Sequence, residues 1–295
     1  MITIRNLLFI VSLLWVQALE AQTEKETKAG SFNTVLFKVT SPGNKHVSYL
    51  FGTHHALGKP FFDSLTVANE ALLSSRLLIK ENLNIPGRLA EDIINRRTIY
   101  TKWERYLEKE EYSYAQALFS RSKLDFDKMT PAELYAFLSR RYKEKVCIGK
   151  DSTANYGTLD DYIELLAREN QLEVLGLETT EDQVSLINKD VEGMPRKVHK
   201  KRLNRMIARM KAGSRDLCPE VEWYRKMDID FRMDQPCRNT LVLTDRNNEW
   251  MQQIQQHVKT ESCFIAVGLS HLMFQCGLIS QLQDLGYTVT PVDVK

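Results

Sequence analysis

Two distant stretches of the chain lead into histidine in the same way: Tyr49-Leu50-Phe51-Gly52-Thr53-His54-His55 and Phe264-Ile265-Ala266-Val267-Gly268-Leu269-Ser270-His271. Each is an apolar run followed by glycine, two residues and histidine. Imidazole is the commonest nitrogen ligand for borderline metals and the side chain best placed to move protons near neutral pH. Two imidazoles at one site therefore point to metal binding or hydrolysis, and a carboxylate is the usual third partner in an open metal site. Glu81, at the end of the run Leu77-Leu78-Ile79-Lys80, is the natural supplier. His54 and His55 are adjacent, and neighbouring side chains of extended chain point to opposite faces. His55 shares its spacing with His271 and is the expected ligand, leaving His54 a packing or supporting role. His46, His199 and His257 lie in polar or helical contexts and read as surface residues. Arg246, followed by Asn247, is a further candidate because a fixed guanidinium can steady developing negative charge; its alternative is a salt bridge to Glu178 or Asp160.

These side chains need elements that bring them together. The apolar runs read as buried strands, so each histidine falls just beyond a carboxyl end, where open α/β sheets place their ligand crevice. The glycines suggest a sharp turn with positive φ, or close backbone approach. Val35–Val39 and Val47–Phe51, separated by Ser41-Pro42-Gly43-Asn44, read as a hairpin leading into the first motif. A helix starting at Asp63, with Leu65, Ala68, Leu72 and Leu73 on one stripe, then a strand at Leu77–Ile79, completes a βαβ unit. A second unit runs from the strand Cys263–Val267 through a helix over about Gly277–Leu285 to the strand Tyr287–Val292. The fold class expected is α/β, a mixed sheet built from two βαβ units with a helical insertion or cap between them, over about 88–147.

Within the intervening region, Thr130-Pro131-Ala132-Glu133 and Thr180-Glu181-Asp182-Gln183 read as capping boxes, and Thr158 opens a helix. Leu172–Leu177 reads as a strand with Glu178 after it. Pro195–Lys211 is rich in Lys and Arg, but Leu203, Met206, Ile207 and Met210 recur beneath the charges as in a solvated amphipathic helix.

The 295 residues are 43% apolar and 26% charged, in the range of globular proteins, and the formal net charge of +2 gives no basis for nucleic-acid binding. Arg5, the apolar run Leu7–Val16 and the small residues Ala18 and Ala21 describe a signal peptide over 1–21 rather than a membrane span, followed by a flexible leader over 22–30. Export to the periplasm or beyond is expected, with no membrane anchor after cleavage. Cysteines can pair in that compartment. Cys218 and Cys237 are the expected disulfide, Cys263 should pack as a small hydrophobe, and Cys276, near His271, is a lesser candidate ligand.

The stretches ending at His55, Glu81 and His271, together with Leu159-Asp160-Asp161, Gly176-Leu177-Glu178-Thr179, Gln183, Arg246-Asn247 and Gly286-Tyr287-Thr288-Val289, resemble the TraB/GumN family, which includes the Tiki-type proteases. The resemblance covers nearly all of residues 31–295. It implies an α/β sheet with helical insertions, similar to the erythromycin esterase and ChaN-like group. It also implies a divalent ion held by His55, Glu81 and His271 to activate water against a peptide or protein substrate; two imidazoles and a carboxylate suit zinc, manganese or cobalt, and Arg246 would steady the oxyanion. Histidine at position 54 departs from the family's usual aliphatic residue. Two alternatives remain: haem or metal carriage without hydrolysis, and a metal-free esterase-like hydrolase in which histidine and glutamate transfer the protons.

Overall fold

A computed structural model describes residues 31–149 and 157–295. The expected signal peptide and leader lie outside the described residues. Strands are β1 (Ser31–Phe32), β2 (Leu36–Thr40), β3 (Ser48–Thr53), β4 (Leu77–Asn82), β5 (Glu173–Glu178), β6 (Ile229–Asp230), β7 (Cys263–Gly268) and β8 (Thr288–Val292). Helices are α1 (Lys59–Asp63), α2 (Thr66–Leu73), α3 (Ala90–Asn95), α4 (Lys109–Phe119), α5 (Pro131–Tyr142), α6 (Leu159–Glu169), α7 (Thr180–Lys189), α8 (Arg196–Ala212), α9 (Pro219–Lys226), α10 (Asp245–Val258) and α11 (Leu278–Asp284). No described helix is long and apolar enough to cross a membrane.

Six strands form one mixed sheet in the order β5-β4-β7-β3-β2-β8, and β1 pairs with β6 separately. β5, β4, β7 and β3 are mutually parallel, while β2 runs antiparallel to both of its neighbours, β3 and β8. This is the mixed α/β architecture expected. β7 (CFIAVG) is buried at all six positions, as a central strand covered on both faces must be, and it separates the two strands of the first βαβ unit. The second unit, β7–α11–β8, steps across β3 and β2. Both crossovers therefore span intervening strands, and they bring the two histidine-bearing strands side by side: β3 pairs with β7 in parallel, with Thr53 level with Gly268.

Aliphatic and aromatic side chains from the sheet, α2, α6, α10 and α11 form the main core, with Phe51, Phe264, Ile265 and Trp250 among its largest buried members. A second apolar cluster, including Trp103, Phe126, Leu134, Leu138, Leu203 and Ile207, joins the helices after β4 to α8. The amphipathic reading of α8 holds: Leu203, Met206, Ile207 and Met210 are buried beneath its basic face.

Several local expectations need correction. The helix expected from Asp63 is two: α1 ends at Asp63 and α2 begins at Thr66. The Thr130–Glu133 capping box forms, but the second box is Thr179–Asp182, one residue earlier than expected. Two threonines stand together there, and the chosen one leaves Gln183 free to face the sheet edge. Disulfides join Cys147 to Cys218 and Cys237 to Cys276, not Cys218 to Cys237. The turn after α5 carries Cys147 against the N-cap of α9, where Cys218 is buried. Backbone hydrogen bonds Phe274 N to Phe231 O (2.9 Å) and Gln275 N to Gln235 O (3.0 Å) bring the loop of Cys237 to that of Cys276. Bonded in this way, Cys276 is no ligand. Cys263 is the free buried thiol expected, its pKa pushed up to about 12 by burial, so it packs rather than reacts.

Candidate functional site

The four parallel strands end on one edge, and each carries a polar group there: Glu178 on β5, Glu81 on β4, Gly268 on β7 with His271 one short turn beyond, and Thr53 on β3 with His54 and His55 following. The chain turns just after both motif glycines, at Leu269–His271 and at His54–Leu57, but neither glycine takes a positive φ to do so. Close approach is what they supply. A Cβ on Gly52 would lie 2.6 Å from Leu269 Cδ1 and 3.3 Å from its Cα. A Cβ on Gly268 would lie 3.1 Å from Glu81 Oε1, 3.8 Å from His271 Cδ2 and 3.9 Å from His55 Nε2. His55, Glu81 and His271 thus converge on the bare backbone of Gly268, whose N–H donates to Glu81 Oε1 at 2.8 Å.

The two histidines have opposite environments. His271 is buried, its ring tilted against that of Trp250 at 4.4 Å between centroids, and its tautomer follows from hydrogen-bond accounting. Asn247 Nδ2 donates to the carbonyls of His271 (3.2 Å) and Cys276 (2.8 Å), which fixes the amide, so its Oδ1 must accept from His271 Nδ1 at 2.6 Å. The Nε2 lone pair then accepts from Arg246 Nη1 at 2.9 Å. Burial pushes the His271 pKa down to about 4, with Glu81 opposing and Arg246 assisting, so the ring is neutral at physiological pH.

His55 is 57% exposed, and its Nδ1 lies 2.8 Å from Asp160 Oδ2. Asp160 also accepts from Thr53 Oγ1 at 2.7 Å. The attraction of Asp160 raises the His55 pKa to about 9 against the opposing effect of desolvation. Burial works to raise the Asp160 pKa, but the facing imidazole, Thr53 and Lys80 outweigh it and hold the carboxyl below its usual range. With Nδ1–H donating to Asp160, Nε2 is the nitrogen left toward Gly268.

Arg246 has every donor committed. Nε donates to Glu178 Oε2 (3.0 Å), Nη1 to Val242 O (3.3 Å) and His271 Nε2 (2.9 Å), and Nη2 to Glu81 Oε2 (2.9 Å) and Glu178 Oε1 (2.6 Å). Guanidinium has five N–H groups, and five acceptors receive them. Its plane also rests on Trp250, 4.4 Å from the ring centroid. Burial pushes the Glu81 pKa up, but the positive charges of Arg246 and His55 outweigh it and keep it low; Glu178 is raised by burial despite Arg246. Arg246 therefore ties the ends of β4 and β5 to His271 and has no N–H for a substrate oxygen. Of the two roles considered for it, the geometry matches the salt bridge to Glu178.

The divalent ion expected from the resemblance finds a poor fit in this arrangement. Of its three donors, His271 Nε2 is hydrogen-bonded to a guanidinium, and Glu81 accepts from Arg246, Gln183 and Gly268. Among the described residues no group of three His, Cys, Asp or Glu side chains is placed to hold an ion.

The model of the TraB/PrgY/gumN family matches residues 35–291. The chain belongs to this family. No curated protein and no solved structure matches it. In this family member the matched region carries the whole site, from β3 to the loop of His271.

Two cavities flank His55. One, of about 520 Å³, is lined by Glu81, Asn82, Asn84, Asp160 and Gln183; the other, of about 470 Å³, by Ala136, Trp223, Leu269 and Met273. His55 and Arg140 line both. Arg140, from the last turn of α5, spends Nε on Glu144 at 3.0 Å and is 53% exposed, which leaves its Nη groups for the cleft. Sequence reasoning overlooked Arg140, whose helix gives no sign that it overhangs the sheet edge. Nor does the sequence mark Asp160 as the partner of His55. His54 takes a supporting position: buried, against the Tyr224 ring, with Nε2 3.5 Å from Glu220. His46, His199 and His257 do not line either cavity.

Proposed function

We propose that this chain is an exported hydrolase that cleaves peptide bonds with His55 and Asp160 as its acid–base pair. The observation that carries the reading is the division at His55: Nδ1 on a buried carboxylate, Nε2 toward the cleft. The neutral form of His55, a minority at physiological pH that grows toward pH 9, takes a proton at Nε2 from water as the water oxygen attacks the carbonyl carbon, and the imidazolium returns that proton to the leaving amine. Arg140 Nη faces the developing oxyanion. Glu81, anchored by Arg246, holds Gly268 and the approach to His55. Cavities on both sides of one histidine suit an extended chain running past it, which supports a peptide or protein substrate over a small ester. Two disulfides support an oxidising compartment, in keeping with the expected signal peptide.

Digestion of a peptide library by the mature chain tests the reading. His55→Ala should abolish cleavage, whereas His46→Ala and His257→Ala should leave it unchanged. Cleavage that survives His55→Ala would refute the assignment. Cleavage lost on treatment with a chelator and restored by an ion would refute the metal-free form of it.

A further inference from the structure

We infer that Arg246 is a built-in cation standing where a divalent ion would otherwise sit, so that this site stays metal-free as long as Arg246 is present. The position has the donor types of an ion site, although its three side chains are spaced for a guanidinium and not for an ion. Glu81 from β4, Glu178 from β5 and the Nε2 lone pair of His271 point at one centre from three different elements, and all three are largely or fully shielded from water. Two carboxylates and an imidazole are a donor set suited to zinc, manganese or cobalt. What lies at the centre is a guanidinium, donating to each of them at 2.6–3.0 Å.

Charge makes the replacement close. Glu81 and Glu178 face one another across the site and need a positive charge between them, because two desolvated carboxylates repel strongly. Arg246 provides that charge permanently, and its fork matches carboxylate geometry in a way a point charge does not. A cation entering beside it would meet like charge and would have to strip Arg246 from all three donors together. Trp250 beneath the guanidinium plane and Val242 O on Nη1 give Arg246 two further holds that an ion does not displace. The inference concerns occupancy and is independent of whether the chain hydrolyses anything.

The test is ion binding, with no activity readout. The mature wild-type chain, Arg246→Met and Arg246→Gln are titrated with zinc, manganese or cobalt chloride by calorimetry, and their thermal midpoints are followed with and without excess ion. Wild type should show no binding that depends on Glu81 or His271. Both variants should unfold at lower temperature without ion, gain about 10-fold or more in affinity for at least one ion, and recover several degrees of midpoint when it is added. That gain should vanish in Arg246→Met/His271→Ala. Wild-type binding of one equivalent that is lost in Glu81→Gln or His271→Ala would overturn the inference, as would a folded Arg246 variant with no gain. If neither variant folds, the wild-type titration against Glu81→Gln still decides.

Discussion

Asp160→Asn isolates the pair on which the proposed acid–base chemistry rests. The wild-type His55 pKa is about 9 against an ordinary 6.5, and the largest contribution is the Asp160 charge. That gap corresponds to about 3 kcal/mol at full strength. His55 is 57% exposed, so solvent screening reduces the effective value to about 1 kcal/mol. Asparagine keeps the shape but removes the charge, and the His55 titration should fall from about 9 toward 6.5. The sign for stability follows. His55 titrates higher in the folded chain, so its stabilisation is complete below about pH 6.5 and is lost as pH rises through about 9. Wild type should exceed the variant by about 1 kcal/mol near pH 6, with the gap closing above pH 9. NMR titration of the His55 ring, with urea unfolding at three pH values, measures both. The acid limb of kcat/KM, rising toward pH 9 in wild type as His55 loses its proton, should move to lower pH with the ring while the maximum falls, because a neutral amide orients imidazole less firmly. A variant ring that titrates with the wild-type midpoint would refute the reasoning.

Other outcomes follow from the same geometry. Gly268→Ala puts a methyl 3.1 Å from Glu81 Oε1; it should cost about 1–3 kcal/mol of stability in urea unfolding and reduce cleavage at least 10-fold, since Glu81 must shift. Arg140→Gln should lower kcat about 100-fold with little change in KM, the loss expected for one oxyanion donor, while circular dichroism and midpoint stay near wild type because the pair it gives up with Glu144 is half exposed and contributes little. The disulfides close loops with separations of 71 and 39 residues, so replacing either cysteine pair by alanine should cost about 4 kcal/mol in the loop-entropy account, read as a lower denaturation midpoint.

What the sequence made legible was whatever depended on nearest neighbours. β3, β4 and β7 could be read because each is an apolar run of about strand length, and the Thr130 box because Thr-Pro-Ala-Glu satisfies its own amides. Strand order was not legible: no local pattern says that β7, almost 200 residues after β4, inserts between it and β3. The cysteine pairing failed for the same reason, since Cys147 meets Cys218 only through the packing of α5 against α8 and of the turn after α5 against α9. At Thr179 and Thr180 the pattern was real but the register ambiguous, and the choice decided whether Gln183 reached Glu81. Asp160 was concealed by its position in the first turn of α6, where an acid is already expected for the helix dipole.

The site residues His55, Glu81, His271 and Arg246 could be named from spacing, yet their division of labour depends on hydrogen-bond counts that spacing does not contain. Two histidines with identical run-ups become a buried neutral acceptor and an exposed, readily charged acid. The cause lies in the partners: Asn247, its amide fixed by two carbonyls, imposes one tautomer on His271 and turns its lone pair to Arg246, whereas Asp160 draws a proton onto His55. Equal motifs therefore do not imply equal roles. In the proposed hydrolysis the chemistry falls to His55, the histidine that water can reach, while His271, whose two nitrogens are already taken, holds the edge together.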